Sequence, residues 1–270
     1  MRALEVIDGF GASHACAAVL DRSGARAARG DLDRPYEWAS VTKLCTALAV
    51  LVAVEEGSVA LDEPAGPPGS TVRHLLAHAS GLGPSDPDRP LTAPGERRIY
   101  SNAGFEVLAA TLERRTAMGF GEYLAAAVLA PLAMSGTRLA GSAAAGLVGP
   151  LRDLLALGAE LLAPALIAPE TLREATAVAF PGLSGVLPGF GRQDPCDWGL
   201  GIEVRGHKSP HWTGARCSPE TFGHFGQSGT FLWVDPVAGV GCALLTDRPF
   251  AAWALDAWPE LSDGVLAARG

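Results

Sequence analysis

No apolar run in this 270-residue chain is long enough to cross a bilayer. The longest, Leu44 to Val54, is far too short and contains Thr46. Met1 to Gly11 carries one arginine and no sustained apolar core, so no export signal is expected and a cytoplasmic location is the expectation. Basic residues are also scarce: 21 Lys and Arg against 29 Asp and Glu give a net charge of −8. With no basic cluster and no interleaving of aromatic and basic residues, nucleic acid is not an expected partner. The five cysteines (Cys16, Cys45, Cys196, Cys217, Cys242) are scattered, odd in number and without a C-x-x-C pair. They read as reduced, mostly buried thiols. His207, His211 and Cys217 have no regular ligand spacing, since Pro210 and Gly214 interrupt them, so no metal and no cofactor are expected.

What is present has a clear order. Short apolar stretches at His14–Leu20 and Ala25–Gly30, joined by Asp21-Arg22-Ser23-Gly24, read as an antiparallel hairpin. A helix follows from about Ser40 to Glu56, stopped by Gly57. Helical periodicity recurs at 72–76, 103–115, 120–129, 151–162 and 171–178, punctuated by prolines. Residues 181–195 read as loop, Trp198–Val204, Phe231–Val234 and Val240–Thr246 as strands, and Trp253–Ala268 as a terminal amphipathic helix. The expected fold is α/β, an α+β sandwich. Its antiparallel sheet is built from both chain ends (1–58 and 181–270) and flanked by helices, with a mainly helical lobe (59–180) inserted. The cleft is expected where insert and sheet meet.

Three stretches carry candidate chemistry. Ser40 and Lys43, three apart at a helix start, share one face, which brings an amine to a hydroxyl that is otherwise a poor nucleophile. The plainer alternative is a helix-capping serine beside a solvated lysine. Tyr100 and Asn102, two apart in an extended segment, point the same way, although Ser101 or Asn102 could simply cap the next helix. Glycines 223, 226 and 229 around His224, Phe225, Gln227 and Ser228 suggest a group approaching the backbone closely. The alternative is an ordinary hairpin loop with a buried histidine.

Taken in order, Ser-x-x-Lys, Tyr-Ser-Asn and His-x-Gly resemble the motif set of the serine β-lactamase and penicillin-binding-protein superfamily. The tyrosine-containing middle motif resembles the branch of class C β-lactamases, D-alanyl-D-alanine carboxypeptidases and related esterases. The flanks at 38–54, 70–82, 94–102 and 222–235 are similar too; only the region from Ser135 to Pro195 matches poorly. The resemblance implies one β-lactamase-like unit over residues 13–250 and a serine hydrolase working through an acyl-enzyme. Ser40 would be the nucleophile, Lys43 and Tyr100 its proton-transfer partners, and Asn102 the orienting amide. His224, Phe225 and Gly226 would line the substrate site, with the backbone amides of Ser40 and Gln227 as oxyanion donors. Glu160, in Glu160-Leu161-Leu162-Ala163, is the nearest approach to a class A water-activating glutamate, but it lacks the asparagine, so deacylation through Tyr100 is expected instead.

One motif departs from the pattern. His224 and Phe225 stand where Lys-Thr-Gly has lysine and threonine. With a reference pKa of about 6.5, histidine is only partly charged at neutral pH, and phenylalanine cannot hydrogen-bond. The expected substrate is therefore a small ester, amide or lactone without an adjacent carboxylate. If His224 acts as a cation, activity should fall above roughly pH 6.5. Two other functions remain open from sequence: acyl transfer from the same acyl-enzyme, and a non-catalytic binding or regulatory relative. The oligomeric state is left open.

Overall fold

The structure is a computed structural model that describes residues 1–268. A 3-10 helix at Arg2–Gly9 precedes strands β1 (Ala15–Asp21), β2 (Gly24–Arg29) and β3 (Tyr36–Glu37). Helices α1 (Thr42–Glu55), α2 (Val72–Leu76), α3 (Asn102–Thr116) and α4 (Phe120–Leu124) follow, the last continued by a π-helical turn at Ala125–Leu129. Strands β4 (Arg138–Leu139) and β5 (Leu147–Gly149) then lead to α5 (Leu151–Leu162) and α6 (Pro169–Thr176). The chain ends with β6 (Gly185–Leu187), β7 (Gly191–Gln193), β8 (Glu203–Val204), β9 (Phe222–Gly226), β10 (Thr230–Asp235), β11 (Val240–Thr246) and α7 (Ala252–Ala267).

Six strands form one antiparallel sheet in the order β2-β1-β11-β10-β9-β8, so the two chain ends meet at the β1–β11 pair, as expected. Both faces of its centre are covered, which is why β11 reads as an unbroken apolar run and not an alternating one. Along β1, Cys16, Ala18 and Leu20 pack toward Leu232, Val234, Ala243 and the helices, while Ala17 and Val19 pack with Phe231, Trp233 and Leu244 beneath α7 and the N-terminal turn. α1 is buried on nearly every side, from Thr42 to Leu51, as a helix that is apolar all round must be. Gly57, with φ +76°, ends it in the left-handed conformation that glycine adopts without strain. Although 151–162 lies within the segment expected to form the helical lobe, the leucine stripe of α5 packs on β1, β10 and β11.

Three sequence expectations need correction. Residues 181–195 are not wholly loop: Gly185–Leu187 and Gly191–Gln193 pair as a hairpin, too short for alternation to be seen in the sequence. Trp198–Val204 is strand only at Glu203–Val204. Phe222–Gly226 is a strand of the main sheet, its glycines having masked the pattern. All five cysteines are buried and unpaired. No helix among the described residues is long and apolar enough to cross a membrane.

Arg98 ties these layers together. Its buried guanidinium donates to four carbonyls: Cys196 at 3.0 Å, Ala77 at 2.6 Å, Ala179 at 2.8 Å and Phe180 at 3.2 Å. Burial pushes its pKa down to about 10, which leaves it charged at neutral pH. Arg98→Met would strand these acceptors in a dry setting, and chemical denaturation should show a loss of about 3 kcal/mol.

Candidate active site

Ser40 sits in the 3-10 turn Ala39–Val41 that opens α1. Ala39 is held at φ +44°, a conformation costly for alanine, and the turn is pinned on either side. The Trp38 indole donates to Gly149 O at 3.0 Å, and the Trp38 carbonyl accepts from Thr230 Oγ1 at 3.0 Å. From the sheet, Gly226 presses against this turn. A Cβ there would lie 2.4 Å from Trp38 O and 3.1 Å from Ala39 Cβ, so the glycine run does mark a close backbone approach.

Lys43 lies one turn along α1 and is fully buried. Its Nζ is 2.7 Å from Asn102 Oδ1, 2.9 Å from Ala144 O and 3.4 Å from Ser40 Oγ. Burial pushes its pKa down to about 7, against the opposing pull of Glu106. A neutral amine has two protons and one lone pair. Asn102 Oδ1 and Ala144 O take the two protons, which leaves the lone pair for the Ser40 hydroxyl. The geometry therefore suits an amine that accepts a proton from Ser40.

The helix-cap ambiguity is resolved in favour of Ser101. Its Oγ accepts from Gly104 N at 3.0 Å and donates to Gly83 O at 2.7 Å, which frees the Asn102 side chain for Lys43. His78, buried behind, accepts the Ser101 amide at 3.1 Å on Nδ1, and its ring packs 4.6 Å from that of Tyr100. Both His78 and His74, which binds Thr71 Oγ1 at 2.9 Å, are built into the framework. Tyr100 presents its ring face to Lys43, with Nζ 4.7 Å from the centroid. Burial drives its phenol well above the ordinary tyrosine range, and the contact with Ser40 offsets only part of that. Tyr100 is thus a neutral phenol at pH 7. The cationic support that a phenolate would require is aimed elsewhere.

His224 is also neutral. Burial, then the charge of Lys43, pushes its pKa down to about 3, which corrects the expectation of a partly charged imidazole. Its Nδ1 donates to Phe225 O at 2.7 Å, so Nε2 carries a lone pair, buried and without a protein partner. The Phe225 ring belongs to an aromatic cluster with Phe190, Trp212, Phe250 and Trp258 and also borders the cleft. β8 covers only Phe222 and Gly223 of β9, leaving the rest of that edge open. Gly226 turns its carbonyl inward to the Gly229 amide at 3.0 Å, so the other side of that peptide, the Gln227 amide, faces the opposite way, to the open edge.

Ser40, Tyr100, His224, Phe225 and Gln227 share one narrow cleft. Leu187, Pro188, Trp198 and Glu203 complete its lining, and sequence reasoning had not assigned them. Glu203 is buried in an ion pair with Lys208 and accepts from Trp212 Nε1 at 2.8 Å and from His211 Nε2 at 3.1 Å. Burial opposes its ionisation, but His211 and Lys208 together outweigh that and hold the carboxyl well below its usual range. His211 therefore serves Glu203, not a metal. The only sequence signal for this group was Glu203 between apolar Ile202 and Val204; Lys208 and His211 lie in a polar, irregular stretch. Glu160 caps the turn after α5, accepting the amides of Ala165 at 2.8 Å and Leu166 at 3.1 Å, and is committed to that structural task.

Comparisons with known proteins identify the fold and the family. A family model described as Beta-lactamase matches residues 9–263. A crystal structure of a β-lactamase (Mb2281c) from Mycobacterium bovis is 53% identical with a TM-score of 0.97, covering 98% of each chain. EstCE1, a hydrolase with promiscuous acyltransferase activity, shares the fold at 18% identity, with a TM-score of 0.80 over 98% of this chain and 96% of its own. Penicillin-binding protein 4* of Bacillus subtilis is 27% identical over 140 residues, which span 38% of this chain and 30% of that protein. On the match of nearly its whole length and its likeness to the mycobacterial protein, the chain belongs to the β-lactamase family.

Proposed function

We propose that this protein is a serine hydrolase that forms an acyl-enzyme on Ser40 with small esters, amides or lactones that lack a carboxylate beside the scissile bond. One observation carries the reading. Lys43, with its pKa near 7, spends its donors on Asn102 and Ala144 and keeps its remaining valence for Ser40 Oγ. In acylation the Ser40 proton passes to Lys43 Nζ while Oγ bonds to the carbonyl carbon. The amides of Ser40 and Gln227 receive the oxyanion. The intermediate then collapses, the bond to the leaving oxygen breaks, and Tyr100 supplies that oxygen with a proton, recovering one from the Lys43 side. Deacylation runs the same relay with water as nucleophile. An alcohol in place of water would give acyl transfer, the activity that EstCE1 shows beside hydrolysis.

The cleft explains the substrate restriction. Its lining residues include Glu203, already paired with Lys208, and neutral His224 but no arginine or lysine, so a substrate carboxylate would find no cation to pair with where related motifs offer a lysine. A short-chain aryl ester is expected to turn over at least about 100-fold faster in kcat/KM than a chromogenic cephalosporin, since one unpaired buried charge costs several kcal/mol. Equal rates would overturn the restriction.

The pH dependence has a defined sign. Lys43 accepts a proton only when neutral, so kcat/KM should rise with pH through a midpoint near 7. His224 is already neutral far below that, so no descending limb near pH 6.5 should accompany it. A pH–rate profile of the wild type checks both limbs.

A further inference from the structure

A second, wider groove adjoins the cleft, with Tyr100 and Pro188 bordering both. Its walls are Pro84, Leu91, Ile99 and Val186, with Arg97 at its rim. Leu91 and Val186 are 58% and 54% exposed, among the few large apolar side chains left in solvent, and they face this space from separate segments. Both segments are fixed by backbone bonds. Leu91 N donates to Gly81 O at 2.8 Å, and Arg98 N donates to Ser184 O at 2.9 Å beside the β6–β7 hairpin. The groove is therefore preformed. Arg97 is exposed and has no carboxylate partner among the described residues, while Arg192 on the neighbouring hairpin is paired with Asp194. The acidic residues Asp86 and Asp88 lie on the adjacent loop but do not line the groove.

We infer that this groove binds the leaving alcohol of the substrate, and that the alcohol is a medium-length apolar chain with an anionic group at its far end. The inference rests on the serine-hydrolase reading for the position of the scissile bond. Tyr100 protonates the leaving oxygen and forms the shared wall, so the alcohol departs on the groove side. The apolar walls then hold its methylenes, and the Arg97 guanidinium meets the distal anion. This differs from a carboxylate beside the scissile bond, which would find no cation among the cleft's lining residues. In the step itself, Ser40 Oγ bonds to the acyl carbon, the bond from that carbon to the alkyl oxygen breaks, and the alcohol leaves with the Tyr100 proton.

Acetate esters test this directly, because every one leaves the same acetyl-enzyme and differs only in the alcohol. Octyl acetate is expected to exceed ethyl acetate about tenfold in kcat/KM, well short of the fourfold per methylene of full burial. Wild type should prefer 8-acetoxyoctanoate to octyl acetate, and Arg97→Gln should cut that preference about fivefold, as for an exposed charge pair. Val186→Ser should lower the octyl-to-ethyl ratio. Equal rates for ethyl and octyl acetate, or a preference unchanged in Arg97→Gln, would overturn the inference. Calorimetric binding of octanoate to wild type and Arg97→Gln reads the groove without turnover. If no acetate ester is hydrolysed but octanoate binds in an Arg97-dependent way, the hydrolase reading fails and the groove stands. If octanoate binding ignores Arg97 while ethyl acetate is hydrolysed, the groove fails and the hydrolase stands.

Discussion

Ser40→Ala is expected to lower kcat/KM toward aryl esters by roughly five orders of magnitude, leaving the residue of rate that an oxyanion site and substrate binding supply without a nucleophile. The loss should lie in kcat, because the hydroxyl contributes little to holding the substrate. Ser40 is half-buried, and its side chain makes a long 3.4 Å contact with Lys43 and a contact with the Tyr100 phenol, neither of them part of the core packing, so the variant should fold with nearly unchanged stability. A fluorophosphonate probe should label wild type and not the variant. Labelling of neither protein would favour the non-catalytic relative.

Lys43→Met is expected to cost roughly three to four orders of magnitude in the same assay, since a serine hydroxyl without its base is a poor nucleophile. A stability measurement separates this from misfolding. Lys43 has a folded pKa of about 7 against the ordinary lysine value of 10.5 in the unfolded chain, so between those values the unfolded state holds a proton that the native state lacks. Wild-type stability therefore rises with pH in this window, by about 1.4 kcal/mol per unit, while the methionine variant lacks that slope. From pH 7 to 10 the difference between the two proteins should move about 4 kcal/mol in favour of wild type. A lysine fully charged at pH 7 in the native state would produce no such movement.

The parts of this site legible in the sequence were those set by local spacing. Ser40 and Lys43 share a face because a helix repeats every three to four residues, and the glycines after β8 announced the contact that Gly226 makes with Trp38. Chain order alone gave the sheet built from both ends. What could not be read depends on distant packing. Arg97 and Arg98 are adjacent and chemically identical, yet alternation in an extended segment leaves one in solvent and buries the other among four carbonyls. His224 looked like a partial cation because nothing in its neighbours announces full burial beside Lys43. Glu203, Lys208 and His211 converge only once a two-residue strand and an irregular loop are in place. The 185–193 hairpin was hidden because its two strands are only three residues long and are interrupted by glycine and proline, although they pair in regular register.

The most direct measurement is the intact mass of the protein quenched in acid during turnover of a short-chain aryl ester, followed by peptide mapping. The expected result is one acyl group added to the peptide that holds Ser40, present in wild type and missing in Ser40→Ala. Steady turnover with no covalent adduct, or an adduct that persists in Ser40→Ala, would contradict the assignment of Ser40 as the nucleophile.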